Sequence, residues 1–148
     1  MGNEQINNMF VDIENSLGIV PGEAVMFFEG KYGSLSEKRA FISDQNRNQY
    51  TEIWSNEGFQ VQRCGDGPDA ADLRLINAIL QTIDFTVSTG HKPGVLCIAT
   101  NGDAIYRNVI QNAKRHGWEV VVLSWGGLHG RLKEFVDAHH DLRVSANS

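Results

Sequence analysis

Asp12, Asp72 and Asp103 are the residues of this 148-residue chain whose type and position best suit chemistry. Asp12 falls near the end of the run Met9-Phe10-Val11-Asp12-Ile13-Glu14-Asn15. Asp72 sits at the start of a long helix-like pattern. Asp103 follows the apolar stretch Val95 to Thr100 through Asn101-Gly102. Carboxylates gathered at one spot raise one another's pKa unless a cation neutralises them. Oxygen-rich clusters that include an amide suit Mg²⁺ or Mn²⁺, and such an ion activates water and stabilises charge in phosphodiester cleavage. Asn15 supplies the amide beside Asp12. Asp69 lies three positions before Asp72, on the same helix face, and with Asn101 it forms a candidate outer shell.

Each of these residues also has a structural reading. Asp69 and Asp72 suit helix N-caps, Asp103 suits the cap of its own helix, and Glu14 suits a solvated turn. Asp12 is harder to explain structurally, because a charge at the end of a buried strand needs a partner. Arg107, Lys114 and Arg115 fall on the helix expected after Asp103. With Lys92 and Arg47 they are candidates for phosphate contacts, the alternative being a solvated helix face. Tyr106 reads as a stacking surface for a base or as packing. Trp125 before Gly126-Gly127 reads as a rim or as the close of a turn. His139 and His140, adjacent on an expected helix, face different ways and make a poor zinc pair. Gly126-Gly127-Leu128-His129-Gly130 has neither the Lys-Ser/Thr of a P-loop nor the spacing of a dinucleotide fingerprint, and no nucleophile elbow appears.

The elements that must position these residues alternate. The apolar run ending at Asp12 reads as a strand, and Pro21-Gly22-Glu23 opens a helix to about Tyr32. Arg39–Ser43 reads as a second strand, 48–56 as a helix and Phe59–Cys64 as a third strand. Asp69–Phe85 reads as a helix with Leu73, Ile76, Leu80 and Ile83 on one stripe, followed by a loop from Ser88 to Pro93. Val95–Thr100, the most apolar run, reads as a central strand. A helix from Asp103 to His116, a strand Glu119–Trp125, a last helix from Leu128 to about His140 and a short edge strand Leu142–Val144 complete the chain. Strand–helix alternation implies a mostly parallel sheet of five or six strands in a three-layer α/β/α sandwich. The first strand and the Val95 strand are expected to be neighbours, bringing Asp12 and Asp103 together at the carboxyl edge, where open α/β sheets bind ligands.

The length suits one domain over residues 1–148. A net charge of −5 excludes a generally basic nucleic-acid binder, so a polyanion would need a local basic patch. Two cysteines, Cys64 and Cys97, form no disulfide framework. The first residues lack the basic and apolar regions of a signal peptide, and no apolar run approaches the ~20 residues of a membrane span. A cytoplasmic location without membrane insertion is the expectation.

Three stretches resemble the motifs of NYN domains, which are PIN-like ribonucleases: Val11-Asp12-Ile13-Glu14-Asn15, Ala71-Asp72-Leu73-Arg74-Leu75 and Ala99-Thr100-Asn101-Gly102-Asp103. Gly117 to Leu123 and Leu132-Lys133-Glu134-Phe135-Val136-Asp137 are similar to that family's final strand and helix, so the resemblance covers nearly the whole chain. It implies a PIN-like fold and metal-dependent cleavage of RNA. Asp12, Asp72 and Asp103 match metal-binding or catalytic positions, and Asn15 matches the amide of the first motif. The chain departs from the pattern twice. Asn77-Ala78 stands where many members carry a second acid, and Asp103 stands where many carry an Asp-x-Asp pair. The expectation is a ribonuclease using Mg²⁺ or Mn²⁺. The alternative is a weakly active or inactive module of the same fold that binds RNA, a protein partner or a second copy. A third reading, a phosphatase for small phosphoesters, needs the same metal in a closed pocket. The three carboxylates are expected to converge within roughly 4–8 Å, the span that one or two bridging ions cover.

Overall fold

The computed structural model describes residues 5–43, 48–65, 67, 69–102, 104–128 and 131–143. Six strands form one sheet: β1 (Gln5–Asp12), β2 (Glu37–Ile42), β3 (Gln60–Arg63), β4 (Lys92–Ala99), β5 (Glu119–Ser124) and β6 (Ala138–Asp141). Their order is β3-β2-β1-β4-β5-β6 and every pair is parallel. The helices are α1 (Pro21–Tyr32), α2 (Asn48–Ser55), α3 (Ala70–Thr89) and α4 (Arg107–Arg115). The order reverses between β1 and β4, so the chain leaves these neighbours in opposite lateral directions and opens a crevice at their carboxyl ends.

Alternation along the strands makes two cores. Phe10, Phe41, Leu96, Ile98, Val120 and Val122 share one core with Leu75, Ile79, Ile83, Val109 and Ile110 of α3 and α4. Met9, Val11, Ala40, Cys97 and Val121 share the other with Ala24, Phe28 and Trp54 of α1 and α2. Because β1, β4 and β5 are buried on both faces, they read as continuous apolar runs. The expected three-layer sandwich is therefore the architecture, and β1 and β4 are neighbours as expected.

The amino ends of β1 and β4 are locked by Asn7. Its Oδ1 accepts the Val95 N–H at 2.8 Å, and its Nδ2 donates to the carbonyls of Tyr32 and Ser34. The pairing register shifts here, between Ile6 and Asn8. Gly94 leaves room for that side chain, since a Cβ at Gly94 would overlap Asn7 and lie 2.7 Å from the Ile6 carbonyl oxygen.

Expectations change in α3 and in the C-terminal segment. The buried stripe of α3 is not Leu73-Ile76-Leu80-Ile83. Ala71, Asp72, Leu75, Ala78, Ile79, Thr82, Ile83 and Thr86 face inward, while Leu73 is 54% and Leu80 37% exposed. Both stripes keep helical spacing. The small Ala71 and Ala78 and the two threonines suit a close approach to the sheet, and the threonine hydroxyls satisfy themselves on carbonyls of their own helix. α3 also runs four residues beyond Phe85, to Thr89.

The last helix expected from Leu128 to His140 is instead a short 3₁₀ turn, Leu132–Glu134, followed by the edge strand β6. The apolar spacing of Leu128, Leu132, Phe135 and Val136 imitates a helix. Asp137 overrides it: its N–H donates to the Val120 carbonyl at 2.8 Å, and its carboxylate accepts the Val120 N–H at 2.7 Å. β6 thereby covers backbone that β5 would otherwise leave unpaired. The strand expected at Leu142–Val144 is helical at Leu142 and Arg143, and Val144 lies outside the described residues. His139 and His140 consequently sit on a strand with opposite facings. His139 Nε2 pairs with Ser124 Oγ and His140 Nε2 with Tyr32 Oη, each at 2.7 Å.

Burial, aided by nearby Lys133 for His139 and by Lys31 and His139 for His140, holds both imidazole pKa values below the ordinary 6.5; Asp141 opposes this for His139. The unfolded chain therefore takes up protons first as pH falls below about 6.5, and the folded state loses stability from there down to the depressed values. Urea midpoints followed from pH 8 to pH 5 should fall less steeply in the His139→Gln/His140→Gln double variant than in the wild type. Parallel curves would show that these histidines do not contribute.

Candidate active site

Asp12 is the last residue of β1, at the point where the strand order reverses. Phe10, two residues earlier on the same face, packs in the α3/α4 core, so alternation aims Asp12 at those helices. α3 returns Asp72 from its first turn, on the buried side of the helix. Between the two stands Tyr106, the end of a 3₁₀ turn (Ala104–Tyr106) that joins the β4 end to α4. The Tyr106 hydroxyl lies 2.9 Å from Asp12 Oδ2 and 3.0 Å from Asp72 Oδ1. It has one proton and can donate to only one carboxylate at a time.

Asn15 Nδ2 donates to the same Asp12 Oδ2 at 2.8 Å. Asp12 Oδ1 has no hydrogen-bond partner, although the residue is only 1% exposed. Burial pushes the Asp12 carboxyl up from its usual range. Hydrogen bonding with Asn15, Tyr106 and Asp72 offsets part of this, and the negative charge of Glu14 adds to it. The Tyr106 phenol is pushed far up by burial and then by the negative charges of both aspartates, so it remains a donor at any physiological pH.

The surrounding turns are tied down from three sides. Glu14 points toward β2, where its carboxylate accepts the N–H and hydroxyl of Ser43 at 2.8 and 3.1 Å; it is a clamp between strand ends rather than a solvated turn acid. Ser16 Oγ donates to the Ala99 carbonyl, and the Asn101 N–H donates to the Asn15 carbonyl. Asn101 Oδ1 accepts the Trp125 N–H at 3.1 Å. The Trp125 ring lies where a side chain on Gly18 would have to go, so this tryptophan closes the turn after β5 against the turn after β1.

Of the residues singled out in the sequence, Asp12, Asn15 and Asp72 come together. Asp103 and Arg47 lie outside the described residues, as does His129. Among the described residues no group of three or more His, Cys, Asp or Glu is arranged to hold a metal. Asp69 occupies the N-cap position of α3, is exposed and makes no side-chain cap bond. Asp72 does not act as a cap either; it turns inward to Tyr106. Arg107 begins α4 beside Tyr106, with its guanidinium 4.5 Å from the centre of the Phe135 ring.

The remaining cations are placed elsewhere. Lys114 lies two turns further along α4, bonded to the Phe135 carbonyl at 3.2 Å and 3.6 Å from Asp137. Arg115 bonds Asn112. Lys92 is the first residue of β4, seven residues and so roughly 23 Å along the strand from Ala99; it stands at the opposite edge of the sheet from Asp12. A phosphate path from Lys92 to the acids is therefore corrected, because strand polarity separates them.

Tyr106 is the residue whose role the sequence hides. Its aromatic ring suggests packing, and it is fully buried, but its hydroxyl is what joins the two acids. The available signal is a tyrosine rather than a phenylalanine three positions after Asp103, where the chain leaves a central strand.

No protein-family model matches this chain, and no curated protein matches it. Among solved structures it is similar to a protein of unknown function from Vibrio parahaemolyticus, with 14% identity, 95% of this chain and 94% of that chain covered, and a TM-score of 0.65. That likeness concerns the fold. No helix among the described residues is long and apolar enough to cross a membrane.

The raised Asp12 pKa implies a pH-dependent cost. The folded state holds its proton more tightly than the unfolded state, so this contribution is full below the ordinary 3.8 and is lost as pH rises through the raised value. An asparagine at this position keeps an acceptor for Asn15 and Tyr106 without the charge. With metal chelated at pH 7, Asp12→Asn should be more stable than wild type by about 1 kcal/mol, a rise of ~2–4 °C in melting temperature, and the difference should shrink at pH 4. A variant less stable by a similar amount at both pH values would contradict this account of the site.

Proposed function

We propose that this chain is a metal-dependent ribonuclease of the NYN, PIN-like type, hydrolysing RNA phosphodiester bonds at the carboxyl edge between β1 and β4. One observation carries the reading: a buried aspartate oxygen, Asp12 Oδ1, without a hydrogen-bond partner, at the switch point of a doubly wound sheet. A buried carboxylate oxygen is expensive to leave unpaired, and a hard divalent cation is the partner that suits it. The first βα turn carries Ile13-Glu14-Asn15 in place of a glycine-rich phosphate cradle, which favours cation binding there over direct phosphate binding by backbone amides.

Asp12 and Asp72 would hold Mg²⁺ or Mn²⁺ in this reading, and the motif resemblance adds Asp103. When bound, the ion supplies water activation and charge neutralisation at the phosphate. Asn15 keeps Asp12 in one rotamer by holding Oδ2. Tyr106 fixes the distance between the strand acid and the helix acid. Glu14 and Ser43 tie the β1 and β2 ends together so that the turn carrying Asn15 keeps its place. Arg107 follows Tyr106 directly in the chain, and its stacking on Phe135 leaves guanidinium N–H groups for a phosphate. The expected setting is the cytoplasm.

The second reading is a module of the same fold that binds RNA without cleaving it. It is favoured by the small acid set, because among the described residues only Asp12 and Asp72 meet at Tyr106, and residue 77 is asparagine.

Labelled single-stranded RNA incubated with Mn²⁺ should be cut by wild type, with Asp72→Asn and Asp103→Asn each slowing cleavage on the order of 10²-fold or more, as when one electrostatic stabiliser is removed. Equal cleavage by wild type and both variants would sink the assignment. RNA retained but uncut by wild type would select the binding module. Retention should weaken with salt, and Arg107→Ala should lower the log–log slope by about 0.7, one phosphate contact on a single strand. An unchanged slope would remove Arg107 from the interface.

A further inference from the structure

We propose that the outward face of α3 is a self-association surface, on which a second copy of this chain packs its own α3 antiparallel about a two-fold axis at Leu80. The inference does not depend on the metal-dependent reading. A surface helix normally buries one apolar stripe and turns a polar one to solvent. α3 carries two apolar stripes. Ala71, Leu75, Ala78, Ile79 and Ile83 face inward, whereas Leu73, Leu80 and Val87 are 54%, 37% and 64% exposed. These three recur every seventh position, a spacing that drifts only ~20° per heptad around a helix. They form one line about 21 Å long, at 1.5 Å per residue, on the side away from the sheet.

The polar residues between these anchors select the partner. Asn77 falls on the same line between Leu73 and Leu80, Asp84 falls between Leu80 and Val87, and Arg74 flanks the amino-terminal half. All three are exposed, and none is bonded within its own chain among the described residues. A two-fold axis at Leu80 sets this leucine on its own image and Leu73 on Val87 of the second copy. It brings Asn77 to within one residue's rise, about 1.5 Å, of the level of the second copy's Asp84. Arg74 reaches toward the same carboxylate on its longer side chain. Each contact occurs twice, as an isologous interface requires. A parallel pair would instead set Asp84 against Asp84 and Arg74 against Arg74, and such like-charge juxtaposition is costly. Donors at one end of the stripe and an acid at the other complement the same stripe turned end to end.

A single helix pair covers less than the ~1,200 Å² of a standard stable interface, so the dimer is weak and forms only as concentration rises. The outward stripe can be altered without touching the rest of the molecule. Leu73, Leu80 and Val87 belong to neither core. Asp72 lies on the buried side of the helix, so changes on the outward side leave Asp12, Asp72 and Tyr106 in place.

Sedimentation velocity on the purified chain, from about 10 µM to about 1 mM, spans a weak association. The wild-type mass should climb from 16.4 kDa toward twice that value as concentration rises. Leu80→Glu sets a carboxylate against its own image and should stay monomeric throughout. Arg74→Asp and Asp84→Arg should each weaken association about tenfold, because two symmetric contacts turn repulsive. Mixed in equal amounts, these two variants should associate again, since each copy then meets opposite charge on the other. A wild type that stays monomeric at the top concentration leaves the stripe to a different partner and overturns the proposal. Association of folded Leu80→Glu equal to wild type, or a mixture no stronger than either charge variant alone, overturns it as well. If Leu80→Glu does not fold, judged by circular dichroism, the mixture of the two charge variants decides.

Discussion

A carboxylate buried at the end of a central strand has to be compensated, and much of the structure around it follows from that need. Asp12 takes hydrogen bonds on one oxygen from Asn15, three residues away, and from Tyr106, ninety-four residues away. The first bond is local and sets the conformation of the turn. The second closes a loop through β4 and the 3₁₀ turn before α4, drawing in Asp72 from α3. One phenol thereby ties a strand and two helices to the same point, and the other Asp12 oxygen is left buried without a hydrogen-bond partner.

The parallel sheet makes this arrangement durable. Its central strands are buried on both faces, so neither face of β1 or β4 can slip without moving a full set of core side chains. Asn7 locks the amino ends of the two strands and the Glu14–Ser43 clamp locks the carboxyl ends of β1 and β2. The site thus sits on rigid strand ends, and its turns are stitched to one another by Ser16, Asn101 and Trp125. A polar group held this firmly keeps its geometry when a ligand arrives, which is the condition for preorganised electrostatic work.

A second group of polar contacts serves the β5 edge. Asp137 and the two histidines convert a segment with helical spacing into β6, giving β5 a partner along its open side. This is where the site and the edge differ chemically. At the edge every polar group named above finds a protein partner, whereas at the β1 end one does not. Asn8 Oδ1, Thr51 Oγ1 and Trp118 Nε1 also lack a partner, and Asp12 Oδ1 is the carboxylate oxygen among these four atoms.

Strand–helix alternation, the central placement of the Val95 run, the adjacency of β1 and β4 and the prominence of Asp12 were all legible in the residues, because local apolar period and strand polarity determine them. The buried face of α3 was not, since two stripes share the helical period and only contact with the sheet selects between them. The segment after Leu128 has helical spacing yet forms β6, because Asp137 bonds across to Val120, a partner seventeen residues away that local spacing cannot reveal. Charge alone pairs Lys92 with the acids, whereas the direction of β4 puts it at the far edge. The sequence by itself determined which residues are acidic, that β1 ends at Asp12 and that β1 meets β4. Only the tertiary structure decided that Tyr106 stands between Asp12 and Asp72, because a hydrogen bond across ninety-four residues depends on how α4 packs against α3 and not on any pattern within either segment.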